Sequence, residues 1–209
     1  MLQGCSFITS LPDVSETSMQ LRAWRSWFVS ATELILNRCP PEGVAIFYQT
    51  DIKHEGTWVD KGYLCLRGAE NVGAALLWHK IVCRREPGAV TFGRPSYAHL
   101  LCFSRGLRVD PAQSTADVLP SMGHMTWARA MGIEACGFAC RFVHEHTATR
   151  TVVDPFCGVG TVLAVANALG LDAIGVERHH KRAVRSRDLH IPSTAVSEAR
   201  RKDPRGRQP

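Results

Sequence analysis

The sequence predicts an α/β fold, a doubly wound and mostly parallel sheet with helices on both faces, and three observations carry that expectation. The run VVDPFCGVGTVLAVANALGLDAIGVE, Val152 to Glu177, reads as a strand, a glycine turn, a helix and a second strand ending in a carboxylate. Earlier in the chain, short apolar runs of strand length accompany a stretch with helical spacing. Two of those runs are joined by a loop containing Pro87, Gly88, Gly93 and Pro95, which marks a hairpin-like connection.

Taken in chain order, Cys5 to Ser10 is a short apolar strand that runs into SLPD, Ser10 to Asp13. Met19 to Leu36 has helical periodicity through Leu21, Trp24, Phe28, Leu34 and Ile35, and Val44 to Gln49 reads as a buried strand. After a segment containing Lys61 and Gly62 come the strands Leu76 to Arg84 and Tyr97 to Arg105. Val152 and Val153 are β-branched and apolar, as a buried parallel strand requires, and the chain turns through Gly158 and Gly160 into a helix that begins near Thr161. That helix, Val162 to Leu169, stops at Gly170, and Asp172 leads into the strand Ala173 to Val176 with Glu177 at its end. In open parallel sheets ligands bind outside the carboxyl ends of strands, and an acid about 20 positions after the glycine turn suits a pair of ribose hydroxyls. The same two glycines also suit a purely structural turn.

At 209 residues one domain is expected, with ample chain for a core. The net charge of +6 is unevenly spread: Arg178 to Pro209 carries +7 and the preceding 177 residues carry −1. Residues 191–209 read as a basic, disordered tail, serving either as a solvated segment or as a salt-sensitive contact to a phosphate backbone. None of the eight cysteines lies in a C-x-x-C pair, and Cys136 and Cys140 share one helix face as core thiols. His144 with His146, and His179 with His180, lack partners at ligand spacing, so no metal is expected. Buried thiols and the lack of any membrane-length apolar run point to a soluble, intracellular protein.

Asp154 to Thr161, DPFCGVGT, resembles motif I of the S-adenosyl-L-methionine (SAM) methyltransferases, in the DPFCGSGT form of the amino-methyltransferases that act on nucleic-acid bases. The three glycines of a dinucleotide fingerprint and the lysine of a phosphate loop are both absent. The resemblance implies a Rossmann-like fold with Asp154 near the methionine moiety, Pro155, Phe156, Cys157, Gly158, Gly160 and Thr161 along the cofactor, and Glu177 on the ribose. Because motif I lies late, the chain is similar to the circularly permuted members, in which the catalytic half comes first. This gives a single domain over 1–190, with residues 1–105 as the catalytic half and 126–190 as the SAM-binding half.

In those members the catalytic tetrapeptide has the form D/N/S-P-P-Y, and the corresponding residues are Ser10, Leu11, Pro12 and Asp13. An exocyclic amino group is a poor nucleophile, so the family sets a polar side chain and a carbonyl to accept its hydrogens while an aromatic stacks the extruded base. Asp13 stands where that aromatic is expected, leaving Trp24, Trp27, Trp58 or Phe7 to supply a ring. The alternative for Ser10 to Asp13 is a strand end followed by a helix cap. Trp78 to Lys80 compares with the family's W-x-K, Leu100 to Arg105 with its later strand, and Trp127 to Val143 with the helix before motif I. The family's strand beyond the Glu177 strand has no counterpart. Only Gly106 to Met125 fills the slot of a target-recognition domain, so recognition falls to a partner subunit, a homodimer or substrate shape. The resemblance implies methyl transfer to a nucleic-acid base, with RNA placed slightly ahead of DNA. The other readings are a methyltransferase for protein or a small molecule, and a non-catalytic subunit of a larger complex.

Overall fold

A computed structural model of the chain describes residues 4–196. The strands are β1 (Cys5–Thr9), β2 (Ala45–Gln49), β3 (Ile52–His54), β4 (Thr57–Val59), β5 (Ala75–Cys83), β6 (Tyr97–Ser104), β7 (Val118–Leu119), β8 (Thr151–Asp154) and β9 (Asp172–Gly175). The helices are α1 (Leu21–Arg38), α2 (Lys61–Asn71), α3 (Ile133–His146), α4 (Thr161–Ala168) and α5 (His180–Asp188). Seven strands form one sheet in the order β7-β5-β6-β2-β1-β8-β9, and β3 with β4 makes a separate hairpin. Among the described residues β6 alone runs against the other strands of the large sheet.

Period-two alternation sends Ile46 and Tyr48 of β2 to one face and Ala45 and Phe47 to the other. On the first face α3 and α4 cover the sheet through Ala135, Cys136, Ala139, Cys140 and Val165. On the second, α1 and α2 do so through Trp24, Phe28, Leu64 and Cys65. The expected doubly wound, mostly parallel sheet is thus the one observed. Cys136 and Cys140 are core thiols, each 0 % exposed, with burial pushing their acidity far from neutrality.

Several elements differ from expectation. The helix expected from Trp127 begins only at Ile133, because its first free N–H groups are taken by a returning loop. Ile133 N–H donates to the His124 carbonyl (3.0 Å), and those of Glu134 and Ala135 donate to Met122 (3.1 and 3.2 Å). Helix α2, unread in the sequence because Gly62 and Gly68 interrupt its pattern, is started by Asp60, whose carboxylate accepts the Tyr63 N–H at 2.8 Å. No strand lies beyond β9, which is an edge of the sheet among the described residues; the seventh strand is β7, at the opposite edge. Lys80, 3 % exposed, holds that edge by donating to the carbonyls of Thr115 (3.1 Å) and Ala116 (2.9 Å). The expected tail from Ile191 begins with packed chain instead. Ile191 and Val196 are 7 % and 0 % exposed in the α3–α4 core, because their apolar side chains are worth more there than in water. The rest of that tail, 197–209, lies outside the described residues. No helix among the described residues is long and apolar enough to cross a membrane.

Phe28 is 0 % exposed and packs against Trp24 with ring centroids 5.2 Å apart. Phe28→Ala should cost about 3–5 kcal/mol of stability, measured by denaturant unfolding.

Candidate cofactor and substrate cleft

Parallel pairing sets β1 directly beside β8, with Phe7 opposite Val153, so the segments leaving both strands emerge side by side. After β8 the chain turns through Asp154, Pro155 and Phe156 into the glycine turn; after β1 it passes through Ser10, Leu11 and Pro12. Between them lies a cleft of about 650 Å³. From the segments around β8 and β9 it is lined by Asp154 to Gly158, Thr161 and Glu177, with Trp127 and Arg182. Ser10, Leu11, Pro12, Trp27, Arg129 and Met131 line it as well. An ion pair between Glu16 and Arg129 (2.5 Å) ties the segment after β1 to the one before α3.

Asp154 is 3 % exposed. Its Oδ1 accepts the Thr9 hydroxyl at 2.7 Å and the Phe156 N–H at 3.1 Å. Burial pushes its carboxyl up to about 7 against the pull of those two hydrogen bonds, and the nearby charge of Glu177 adds to the rise. Such a group gains most from a cation placed beside it. Gly158 has φ 58° and Gly160 φ 84°, in the left-handed region. A Cβ on Gly158 would come within 3.0 Å of the Trp127 ring, and one on Gly160 within 2.8 Å of Ser186. Thr161 bonds Thr126 through their hydroxyls (2.5 Å), and Cys157, 8 % exposed, donates its N–H to the Val176 carbonyl at 3.0 Å. Glu177, at the end of β9, accepts the His179 N–H at 2.6 Å and lines the cleft. Arg182 lies over the Trp127 ring, 5.1 Å from its centroid.

Pro12 is fixed by the Trp24 indole, whose Nε1–H donates to its carbonyl at 3.1 Å. Asp13 is placed differently from its neighbours. It is 4 % exposed, does not line the cleft, and pairs with both Lys61 and Arg94. Its N–H donates to Glu16 Oε2 (3.1 Å) and its carbonyl accepts the Glu16 N–H (2.9 Å), so it caps the short turn Val14–Glu16. Two cations already occupy its carboxylate, and the tetrapeptide divides into three cleft residues and one buried anchor. Of the rings weighed in its stead, Trp24 and Phe7 are core, and Trp58 donates to Asp51 at 3.1 Å. Trp27 lines the cleft, edge-on to Phe156 at 6.0 Å.

The sequence did not signal the cluster beside this anchor. Asp51 accepts from His99 Nε2 (3.0 Å), the Lys61 N–H (2.8 Å) and Trp58 Nε1 (3.1 Å), and His79 meets His99 at 2.9 Å. Burial alone would raise the Asp51 carboxyl; the bonds from His99, Lys61 and Trp58 outweigh it and hold the group below its ordinary range. Asp51, Asp60 and His99 offer ligand atoms within 4.8 Å of one another, but these atoms are engaged within the protein. Only tertiary packing brings β2, α2 and β6 together here. No spacing in the sequence could have shown it.

Residues 143–186, which include motif I, match the N6/N4 methyltransferase family, described as DNA methylase. A candidate DNA modification methylase from Thermus thermophilus, solved with S-adenosyl-L-methionine, is 16% identical with a TM-score of 0.67, covering 88% of this chain and 84% of that one. The PvuII DNA methyltransferase, described as cytosine-N4-specific, is 14% identical with a TM-score of 0.69 over 96% of this chain and 86% of its own. The M1.HpyAVI complex with SAM is 13% identical with a TM-score of 0.58, covering 90% and 89%. No curated protein matches the sequence. The fold is that of the SAM-dependent methyltransferases. Within that class the chain resembles the amino-methyltransferases of DNA, and residues 143–186 carry the likeness in sequence.

Two outcomes follow from the buried acids. Asp13→Ala strands Lys61, 2 % exposed, without its partner, so it should lower stability by about 3–5 kcal/mol in denaturant unfolding. Asp154 holds an extra proton in the folded state between its ordinary value of 3.8 and about 7, so it makes the ligand-free protein less stable as pH rises across that window. Asp154→Asn keeps an acceptor without the charge. Its melting temperature should match the wild type's below pH 3.8, where the carboxyl is protonated in both states, and exceed it increasingly above that, by at least about 2 °C at pH 8, measured by calorimetry.

Proposed function

We propose that the protein transfers a methyl group from S-adenosyl-L-methionine to the exocyclic amino nitrogen of a base in DNA. The observation that carries this reading is the shared cleft, in which the Ser10–Pro12 segment after β1 faces the Asp154–Gly158 turn after β8. The matched family segment and the structural relatives support DNA, and nothing favours RNA over it.

When bound, SAM supplies an electrophilic methyl group on a cationic sulfonium. The residues fit that chemistry: a buried carboxyl with a raised pKa and a second acid at Glu177 suit a cationic nucleoside, and left-handed glycines let backbone approach it. Asp154 receives the methionine end, Glu177 the ribose hydroxyls, and the turn from Pro155 to Gly160, with Thr161, lies along the cofactor. Ser10 Oγ and the Leu11 carbonyl accept the hydrogens of the target amino group and aim its lone pair along the line of displacement. Their contribution is positioning, which replaces a bimolecular encounter by a held geometry. Trp27 and Phe156 give the base an aromatic wall where Asp13 gives none. On α5, Lys181, Arg185 and Arg187 are exposed and meet the DNA backbone.

The test is methyl-labelled SAM supplied with duplex DNA, total RNA or protein extract: label should enter DNA, and label confined to RNA or protein would overturn the substrate assignment. Ser10→Ala should keep SAM affinity and lower transfer at least about tenfold; unchanged transfer would remove Ser10 from the site. Because only the carboxylate of Asp154 attracts the cation, the dissociation constant for SAM should rise up to about tenfold per pH unit below about 7, followed by isothermal titration calorimetry. A flat profile would separate Asp154 from the cofactor.

A further inference from the structure

Val90 and Phe92 are 81% and 88% exposed, far more than any other large hydrophobic side chain among the described residues. Both lie on the loop between β5 and β6, residues 84–96, which also carries Arg84, Arg85 and Arg94 against a single acid, Glu86. Single exposed apolar residues are ordinary, but two of them at the tip of one basic loop call for a partner that is apolar between negative charges. A base stack between two phosphate backbones is such a partner.

The position of the loop supports this. β5 runs parallel to β2 and β1, so the loop leaves the sheet at the end where Ser10 to Pro12 leave β1. Its base is firm: the N–H groups of Arg84 and Arg85 both donate to the Ser96 carbonyl (2.7 and 3.1 Å), and Pro95 is buried. It is also tied to the catalytic segment, because Arg94 pairs with Asp13, the residue after Pro12. The anchor that replaces an aromatic in the tetrapeptide therefore joins the cleft to this loop.

We propose that the β5–β6 loop is a DNA wedge. Phe92, with Val90 beside it, enters the stack where the target nucleotide leaves, and Arg85 takes the adjoining phosphate. The Arg94–Asp13 pair fixes the distance between the wedge and the Ser10–Pro12 segment that receives the extruded base. This rests on the DNA methyltransferase reading above. It gives the chain a means of opening a duplex within the short span between two strands. Single-stranded DNA has no paired duplex to open, so its bases leave at lower cost and depend less on a wedge.

The experiment measures methyl transfer from labelled SAM to genomic DNA as duplex and after denaturation, by the full chain and its Phe92→Ser and Phe92→Tyr variants. Phe92→Ser should lower labelling of the duplex at least about tenfold relative to the denatured DNA, and Phe92→Tyr should restore the ratio. Because Phe92 makes little contact with the fold, the variants should unfold at the wild-type temperature. An unchanged ratio in Phe92→Ser, or an equal loss on both substrates, would overturn the wedge while leaving the methyltransferase reading intact. A wild-type protein that labels neither form of DNA would overturn that reading, and the wedge with it.

Discussion

The pairing of β1 with β8 is the constraint on which the rest depends. These strands are separated by more than 140 residues, and side chains reinforce their ladder: Ser6 bonds Thr149 at 2.7 Å and Thr9 bonds Asp154 at 2.7 Å, all four buried. Ser6 also accepts the Val44 N–H at 3.1 Å, which brings β2 into the same network. A polar group inside a sheet is tolerated only when its partners are fixed, so these threonines and serines specify register as well as strength. One consequence is the cleft itself, since a slip between β1 and β8 would carry Ser10 away from Asp154.

Much of this was legible because apolar periodicity and glycine turns are local signals. β1, β2, α1, α4 and the β5–β6 hairpin appear within a residue or two of where their patterns put them. The glycine turn was the clearest, since Gly158 and Gly160 sit at positive φ beside the buried Asp154. What sequence could not show was set by distant contacts. α2 forms because Asp60 caps it and Leu64, Cys65 and Ala69 find a core built by α1 and the sheet. The late start of α3 is imposed by the carbonyls of Met122 and His124. Asp13 reads as a defect in a tetrapeptide until Lys61, 48 positions away, and Arg94, 81 positions away, are seen around it.

That buried cluster shows how a site can lose one residue of a pattern and remain ordered. Two cations around a carboxylate cost desolvation, and their return is in specificity of position more than in net stability. Here the cluster joins the Asp51–His99 network through Lys61, whose main chain bonds Asp51 and whose side chain bonds Asp13. The segment after β1, the start of α2 and the β5–β6 loop are thereby held to one another.

The long separation of β1 from β8 also matters while the chain is being made. β8 is synthesised more than 140 residues after its neighbour β1, an interval of roughly 7–30 s at ordinary translation rates of about 5–20 residues per second. During that time an apolar strand destined for the centre of the sheet has an open edge on its β8 side, and only β2 can cover the other. Closing so distant a contact is slow. Until β8 has been made, the strand that leads into the cleft is therefore paired on one edge at most.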